Sequence, residues 1–251
     1  MKEKQMPLAK AFSLRPDRFR MLIKGIKETG WENKKINILE VGCSKGDAAA
    51  YLAENYDFNI YAVDISENLI YQAIEEHQKI IQNKNLSYMC ENAEKLSFTN
   101  GIFRGIYSEA AFSPLPNKRK VINEYSRLLN FGGKVLINDF VIKNTAAEKE
   151  RNEMVHIPCF AGVRTKECYV DMFEEAGFRC IYFKEDYSEL IRTAVWLCKI
   201  YKVSAVEISS YLSKYFCIGK SQYVQCSGKS PKGSFFKKAD LTYAQMIFEK
   251  K

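Results

Sequence analysis

Histidine is nearly missing from this chain: 251 residues hold only His77 and His156, too few for an imidazole-built metal centre. There is no C-x-x-C pair either. The eight cysteines are scattered singly, which predicts reduced, mostly buried thiols and no zinc site. No apolar run approaches the roughly twenty residues of a membrane span, and the opening MKEKQMPLAKAF lacks a signal-peptide core, so a cytoplasmic protein away from the membrane is expected. Internal repeats and low-complexity tracts are also lacking. What is present is an ordinary globular composition, 47% hydrophobic and 27% charged, in a chain long enough for one α/β domain with a modest appendage.

The net charge of +8 is unevenly placed. From Lys199 onward ten lysines face only Glu207, Asp240 and Glu249, a net of +7. Such a tail can meet anionic partners, but no aromatic platform of an RNA-binding motif accompanies it; a solvated surface is the plainer reading, and nucleic acid is not expected.

The informative stretch is Ile36 to Ala53, INILEVGCSKGDAAAYLA. An apolar run passes through Glu40-Val41-Gly42-Cys43-Ser44-Lys45-Gly46 into an alanine-rich helical pattern, the grammar of strand, glycine turn and helix. Gly42 and Gly46 permit backbone conformations and a close approach that a Cβ obstructs, and the N–H groups opening the helix face whatever binds there. A second strand, Asn59 to Val63, ends in Asp64, placed to accept hydrogen bonds from ribose hydroxyls. Turn plus acid predicts nucleoside binding, a pairing that serves NAD, FAD and S-adenosylmethionine alike.

This arrangement resembles motif I of the class I S-adenosylmethionine-dependent methyltransferases, E/D-x-G-x-G-x-G, with Ser44 replacing the middle glycine. VDIS (Val63 to Ser66) resembles the acidic second motif, and NAEKLSF (Asn92 to Phe98) the segment at the adenine edge, with Asn92 where Asp is frequent. FRGIYS (Phe103 to Ser108) resembles the fourth strand, and INEYSRLLNFGGKVLINDF (Ile122 to Phe140) the following helix, glycine turn and fifth strand. IPCFAGVRTKECYVDMFEEAGF (Ile157 to Phe178) is similar to a stretch of the arsenite methyltransferases, where a cysteine before Ala-Gly binds trivalent arsenic. The arsenite and menaquinone-biosynthesis methyltransferases are thus the nearest in character.

The resemblance implies a Rossmann-like α/β fold: a seven-stranded sheet with strand 7 antiparallel beside the fifth, helices on both faces, and a helical insertion between strands 6 and 7. It divides the chain into a helical lid (1–35), the cofactor-binding core (36–184), a helical and basic insertion (185–239) and a closing strand (240–251). An interruption of that size suggests substrate selection or dimer contact, so a homodimer is expected. For S-adenosylmethionine it implies a binding set of Glu40, Gly42, Cys43, Ser44, Gly46, Asp64, Ile65, Asn92, Ala93 and Ser108, in which Gly42, Ser44 and Gly46 border the methionyl part, Asp64 the ribose, Asn92 with Ala93 the adenine, and Ser108 faces the reacting end. Glu109, ending the fourth strand, is the candidate catalytic residue, as a base or as a partner of the methionyl ammonium. Cys159 and Arg15 are the candidate substrate contacts. The expected function is methyl transfer to a small-molecule acceptor; the alternatives are arsenite methylation through Cys159 and a cofactor-binding partner subunit without catalysis. Locally, one helix is expected from Ser66 to Gln82, and a second from Lys118 to Leu129, stopped by Asn130 to Gly133 before a strand from Lys134 to Phe140.

Overall fold

The computed structural model describes residues 14–144, 162–204 and 240–251. Cys159 and most of the expected insertion lie outside these residues. Strands β1 (Ile36–Val41), β2 (Phe58–Asp64), β3 (Leu86–Cys90), β4 (Phe103–Glu109), β5 (Leu129–Ile142), β6 (Phe178–Glu185) and β7 (Leu241–Lys250) form one sheet in the order β3-β2-β1-β4-β5-β7-β6. The first five pair in parallel, and β7 runs antiparallel to both neighbours, β5 and β6. This is the seven-stranded sheet expected from the sequence.

Helices α1 (Arg20–Thr29), α2 (Asp47–Asn55), α3 (Glu67–Glu76), α4 (Gln78–Asn83), α5 (Lys118–Leu128), α6 (Lys166–Glu175) and α7 (Tyr187–Tyr201) complete the described residues. Apolar residues on one side of each drive the packing. Leu22 and Ile26 of α1, the alanines of α2, and Ile70 and Ala73 of α3 cover one face of the sheet; Val121, Ile122 and Tyr125 of α5, with Tyr169 and Phe173 of α6, cover the other. A parallel sheet buried on both faces explains why its strands read as near-continuous apolar runs. Caps set the helix starts: the side chains of Ser66, Asn117 and Thr165 accept from Leu69 N, Lys120 N and Cys168 N respectively, each worth about 1 kcal/mol. None of the described helices is long and apolar enough to cross a membrane. The five described cysteines are all free.

Two local expectations need correction. The helix expected over Ser66 to Gln82 breaks at His77, whose ring nitrogen Nδ1 lies 3.0 Å from Ala73 O and 3.2 Å from the Tyr88 hydroxyl, while the ring stacks on Tyr88 of β3. That tether takes His77 out of helical geometry, and α4 restarts after it. The glycine pair after α5 does not stop a helix ahead of a later strand. β5 begins at Leu129, directly after α5, because Leu129 pairs with Phe103 while Lys134 pairs with Gly105. The surplus residues bulge outward through Gly132, at φ +68°, and Phe131, which is 81% exposed.

Candidate active site

At the carboxyl end of β1 the chain crosses Gly42-Cys43-Ser44-Lys45-Gly46 into α2, and three of these five residues are left-handed: Gly42 at φ +80°, Ser44 at +51° and Gly46 at +76°. The amides of Gly42 and Cys43 both donate to Val63 O, at 2.8 and 3.0 Å, fastening the start of the turn to the end of β2. Space is short as well. A Cβ on Gly42 would stand 2.4 Å from Ala111 Cβ, and one on Gly46 2.2 Å from Tyr88 Cε1. Glycine is therefore required twice over at both positions, by conformation and by contact.

Asp64 ends β2 and reaches into this turn. Its Oδ2 accepts from Ser44 N at 2.9 Å and its Oδ1 from Ser66 N at 3.0 Å, so each oxygen keeps a second lone pair for another donor. The first bond holds Ser44 in a conformation that serine disfavours. Beside the acid, Ile65 is left 72% exposed. Just past the end of β3, Asn92 is exposed and its Oδ1 accepts from Glu94 N at 2.9 Å, while Ala93 packs into the core. Turn, acid, bare apolar plate and amide thus line one rim across β1, β2 and β3.

Carboxyl groups gather where β1, β4 and β5 end. Glu40 is buried, and burial pushes its pKa up to about 8 against the pull of the Tyr107 hydroxyl and the Ala49 amide, with Asp47 and Asp64 adding to the rise. Glu40 Oε2 and Tyr107 Oη, both buried, meet full hydrogen-bond geometry with no partner among the described residues. Glu109 retains some residue surface, yet its carboxyl is desolvated: burial first, then the charges of Glu40, Glu189 and Asp139, raise its pKa well above the carboxylate range, opposed by a hydrogen bond from Asn138. Asp139 is satisfied by Phe112 N, Ser113 N, Ser113 Oγ and Phe140 N, and so anchors the loop after β4.

Several residues singled out in the sequence take structural posts. Ser108 is fully buried and donates to Val41 O at 3.1 Å, tying β4 to β1. The Cys43 thiol is buried, and burial holds it protonated. Arg15 is buried too: its Nη2 pairs with Glu189 of α7 and its Nη1 donates to Thr193 at 2.6 Å. Arg20 joins in, contacting Asp186 and Glu189 at 2.8 Å each, and Asp17 pairs with Arg192 at 2.9 Å. Residues 15–20 and α7 are thereby locked together by ions. Sequence reasoning missed Asn138, Gln245 and Glu189. Gln245 Nε2 donates to Met21 O (2.7 Å) and to Asn138 Oδ1 (2.9 Å), leaving the Asn138 amide free to donate to Glu109. The available signal was a polar residue inside an otherwise apolar strand, as in Ile137-Asn138 and Ala244-Gln245-Met246.

The family model described as "Methyltransferase domain" matches residues 32–177, more than half of the chain and the whole of this rim. The chain belongs to the methyltransferase-domain family. Its class is that of the S-adenosylmethionine-dependent class I enzymes. It is 30% identical over 179 residues to an uncharacterized protein of Haemophilus influenzae, covering 67% of this chain and 70% of that protein. It is 24% identical over 150 residues to an O-methyltransferase of Pyrenophora dematioidea, covering 58% of this chain and 55% of that one, so the match spans about half of the fungal enzyme. Among solved structures, Haemonchus contortus phosphoethanolamine N-methyltransferase 2 in complex with S-adenosyl-L-methionine superposes with a TM-score of 0.69 at 15% identity, over 94% of this chain and 54% of that one. At that identity the likeness establishes the fold.

Proposed function

We propose that this chain transfers the methyl group of S-adenosylmethionine to a small-molecule acceptor. The observation that carries the reading is the left-handed turn at Gly42 to Gly46, cross-braced to Asp64 through Ser44 N. The residues fit the cofactor on this chain's own features: Asp64 has a spare lone pair on each oxygen for ribose hydroxyls, Ile65 offers a bare apolar face to the adenine side, and the Asn92 amide can donate to the ring edge. Glu40, buried with an orphaned oxygen, suits the cationic end of the ligand. When bound, the sulfonium supplies an electrophilic methyl carbon. The protein's tasks are then to align a nucleophile, exclude water and take up a proton, and Glu109 is the group at the reacting end able to do the last.

The remaining assignments follow the same logic. Residues 1–35 and the segment at 185–239 serve as cover and insertion about a core at 36–184, closed by 240–251. Arg15 acts on substrate indirectly, through the ion pair that seats α7. Arsenite methylation needs several thiolates; Cys43 is a poor one because burial keeps it protonated, and the reading rests on Cys159. The names of the relatives mix O- and N-methyltransferases, in keeping with a small acceptor. Mass spectrometry of the nucleoside released when the purified protein is denatured tests the proposal. S-adenosylmethionine or its demethylated thioether is expected, and a dinucleotide in its place overturns it. Cofactor bound with no methyl transfer to any acceptor would favour the non-catalytic partner subunit.

A further inference from the structure

Charge at the reacting end is out of balance. Among the described residues Glu109 and Glu40 form no ion pair, and the guanidiniums that join residues 15–20 to α7 are already committed: Arg15 to Glu189, Arg20 to Glu189 and Asp186, Arg192 to Asp17. The ionisable side chains that raise the Glu109 pKa beyond the effect of burial are further acids, Glu40, Glu189 and Asp139. Its Oε1 takes the Asn138 amide, while its Oε2 takes no hydrogen bond from any described residue. Asp139 cannot play the same part, since four donors already fill its oxygens. The Tyr243 hydroxyl is committed as well, donating to Asn138 O at 2.8 Å.

We propose that the methyl acceptor is a small amine whose nitrogen seats on Glu109 Oε2 beneath the cover made by α7 and residues 14–20; this rests on the methyltransferase reading and narrows it. An amine arrives as an ammonium ion and brings positive charge to a carboxyl that has no cationic partner among the described residues, whereas a phenolate or carboxylate brings negative charge in among acids. The ammonium must lose a proton before its lone pair can attack. Burial and the neighbouring acids raise the proton affinity of Glu109, so it is the charge of the arriving ammonium, favouring the ionised carboxylate, that puts Glu109 in the form a base requires. The step balances: one N–H proton passes to Glu109 Oε2, the nitrogen lone pair forms the new N–C bond, and the methyl carbon's bond to sulfur breaks with its electron pair left on sulfur. Glu109 then returns its proton to solvent. The Asn138 amide, oriented by Gln245, keeps Oε1 occupied so that Oε2 is the oxygen presented.

The test supplies the full chain with methyl-labelled cofactor and a library of small amines beside matched alcohols, phenols, carboxylates and thiols, together with arsenite. Transfer confined to amines is expected, falling about a hundredfold or more in Glu109→Gln. Calorimetry gives a second readout. The best amine should bind the S-adenosylhomocysteine complex about tenfold more weakly in Glu109→Gln, while a circular dichroism spectrum and cooperative melting like those of the parent show that the variant has folded. Transfer to another class with amines silent, silence across the whole library, or amine transfer unchanged in Glu109→Gln overturns the proposal. Failure of the unaltered protein to bind the cofactor at all sinks the methyltransferase reading instead.

Discussion

Asn138 and Glu109 are joined across the carboxyl ends of β5 and β4 by a hydrogen bond from the Asn138 side-chain amide to Glu109 Oε1. The amide has no freedom to flip, because Gln245 Nε2 already occupies Asn138 Oδ1 at 2.9 Å and is itself held by Met21 O at 2.7 Å. A relay from α1 through β7 and β5 therefore fixes the rotamer of the candidate base. Asn138→Ala should lower kcat about tenfold while leaving cofactor affinity by calorimetry near that of the parent, since the hydrogen bonds of Asn138 run to Glu109, Ala110, Tyr243 and Gln245 and to none of the described rim residues on β1 to β3. A loss of cofactor affinity equal to the loss of rate would show that the relay supports the whole site and not Glu109.

Glu40 makes stability depend on pH with a definite sign. The unfolded chain ionises this group near its ordinary value of 4.5, whereas the folded protein holds the proton to about 8. Between those values the unfolded state binds fewer protons, so stability falls as pH rises through the window and the penalty is complete above it. Glu40→Gln removes this term. Melting curves from pH 5 to 8.5 should decline for the parent and be flatter for the variant, and parallel declines would contradict the assignment.

The Arg15–Glu189 pair has side chains 8% and 6% exposed, so losing Arg15 leaves the buried Glu189 carboxylate with Arg20 as its one remaining cation among the described residues. Arg15→Met should cost about 3 kcal/mol in urea unfolding, and adding Glu189→Met should recover much of that loss. Additive losses in the double variant would mean that the two residues act independently. The same cycle read in acceptor KM reports whether the ionic lock between residues 15–20 and α7 shapes the acceptor pocket.

Gly42→Ala places a methyl group 2.4 Å from Ala111 Cβ in a backbone at φ +80°. The combined strain is on the order of 1–3 kcal/mol, concentrated in the turn. Cofactor affinity should fall more steeply than global stability. Unchanged affinity would show that the turn tolerates displacement.

The sheet, the glycine turn and the acid beside it were legible because their signals are local. An apolar run ending in Glu40, small residues at Gly42, Ser44 and Gly46, and Asp64 at the tip of the next run specify a turn and an acid without reference to the rest of the chain. The relay and the ionic lock were not legible, because they join residues far apart: Gln245 meets Asn138 across 107 positions and Arg15 meets Glu189 across 174. Periodicity places a residue on a face but does not name its partner on another element. The two misplaced boundaries have the same origin. His77 leaves its helix for Tyr88 on β3, and Leu129 enters a strand because Phe103 is there to pair with it. In both cases tertiary contact overrode a sound local pattern.

The account depends most on the pairing of the glycine turn with Asp64, and calorimetric titration of S-adenosylmethionine into the unaltered protein and into Asp64→Ala tests it directly. Saturable one-to-one binding is predicted for the former, weakened about tenfold to a hundredfold in the latter through loss of hydrogen bonds to a charged acceptor. Equal affinities in the two proteins, or no binding by the unaltered chain, would contradict it.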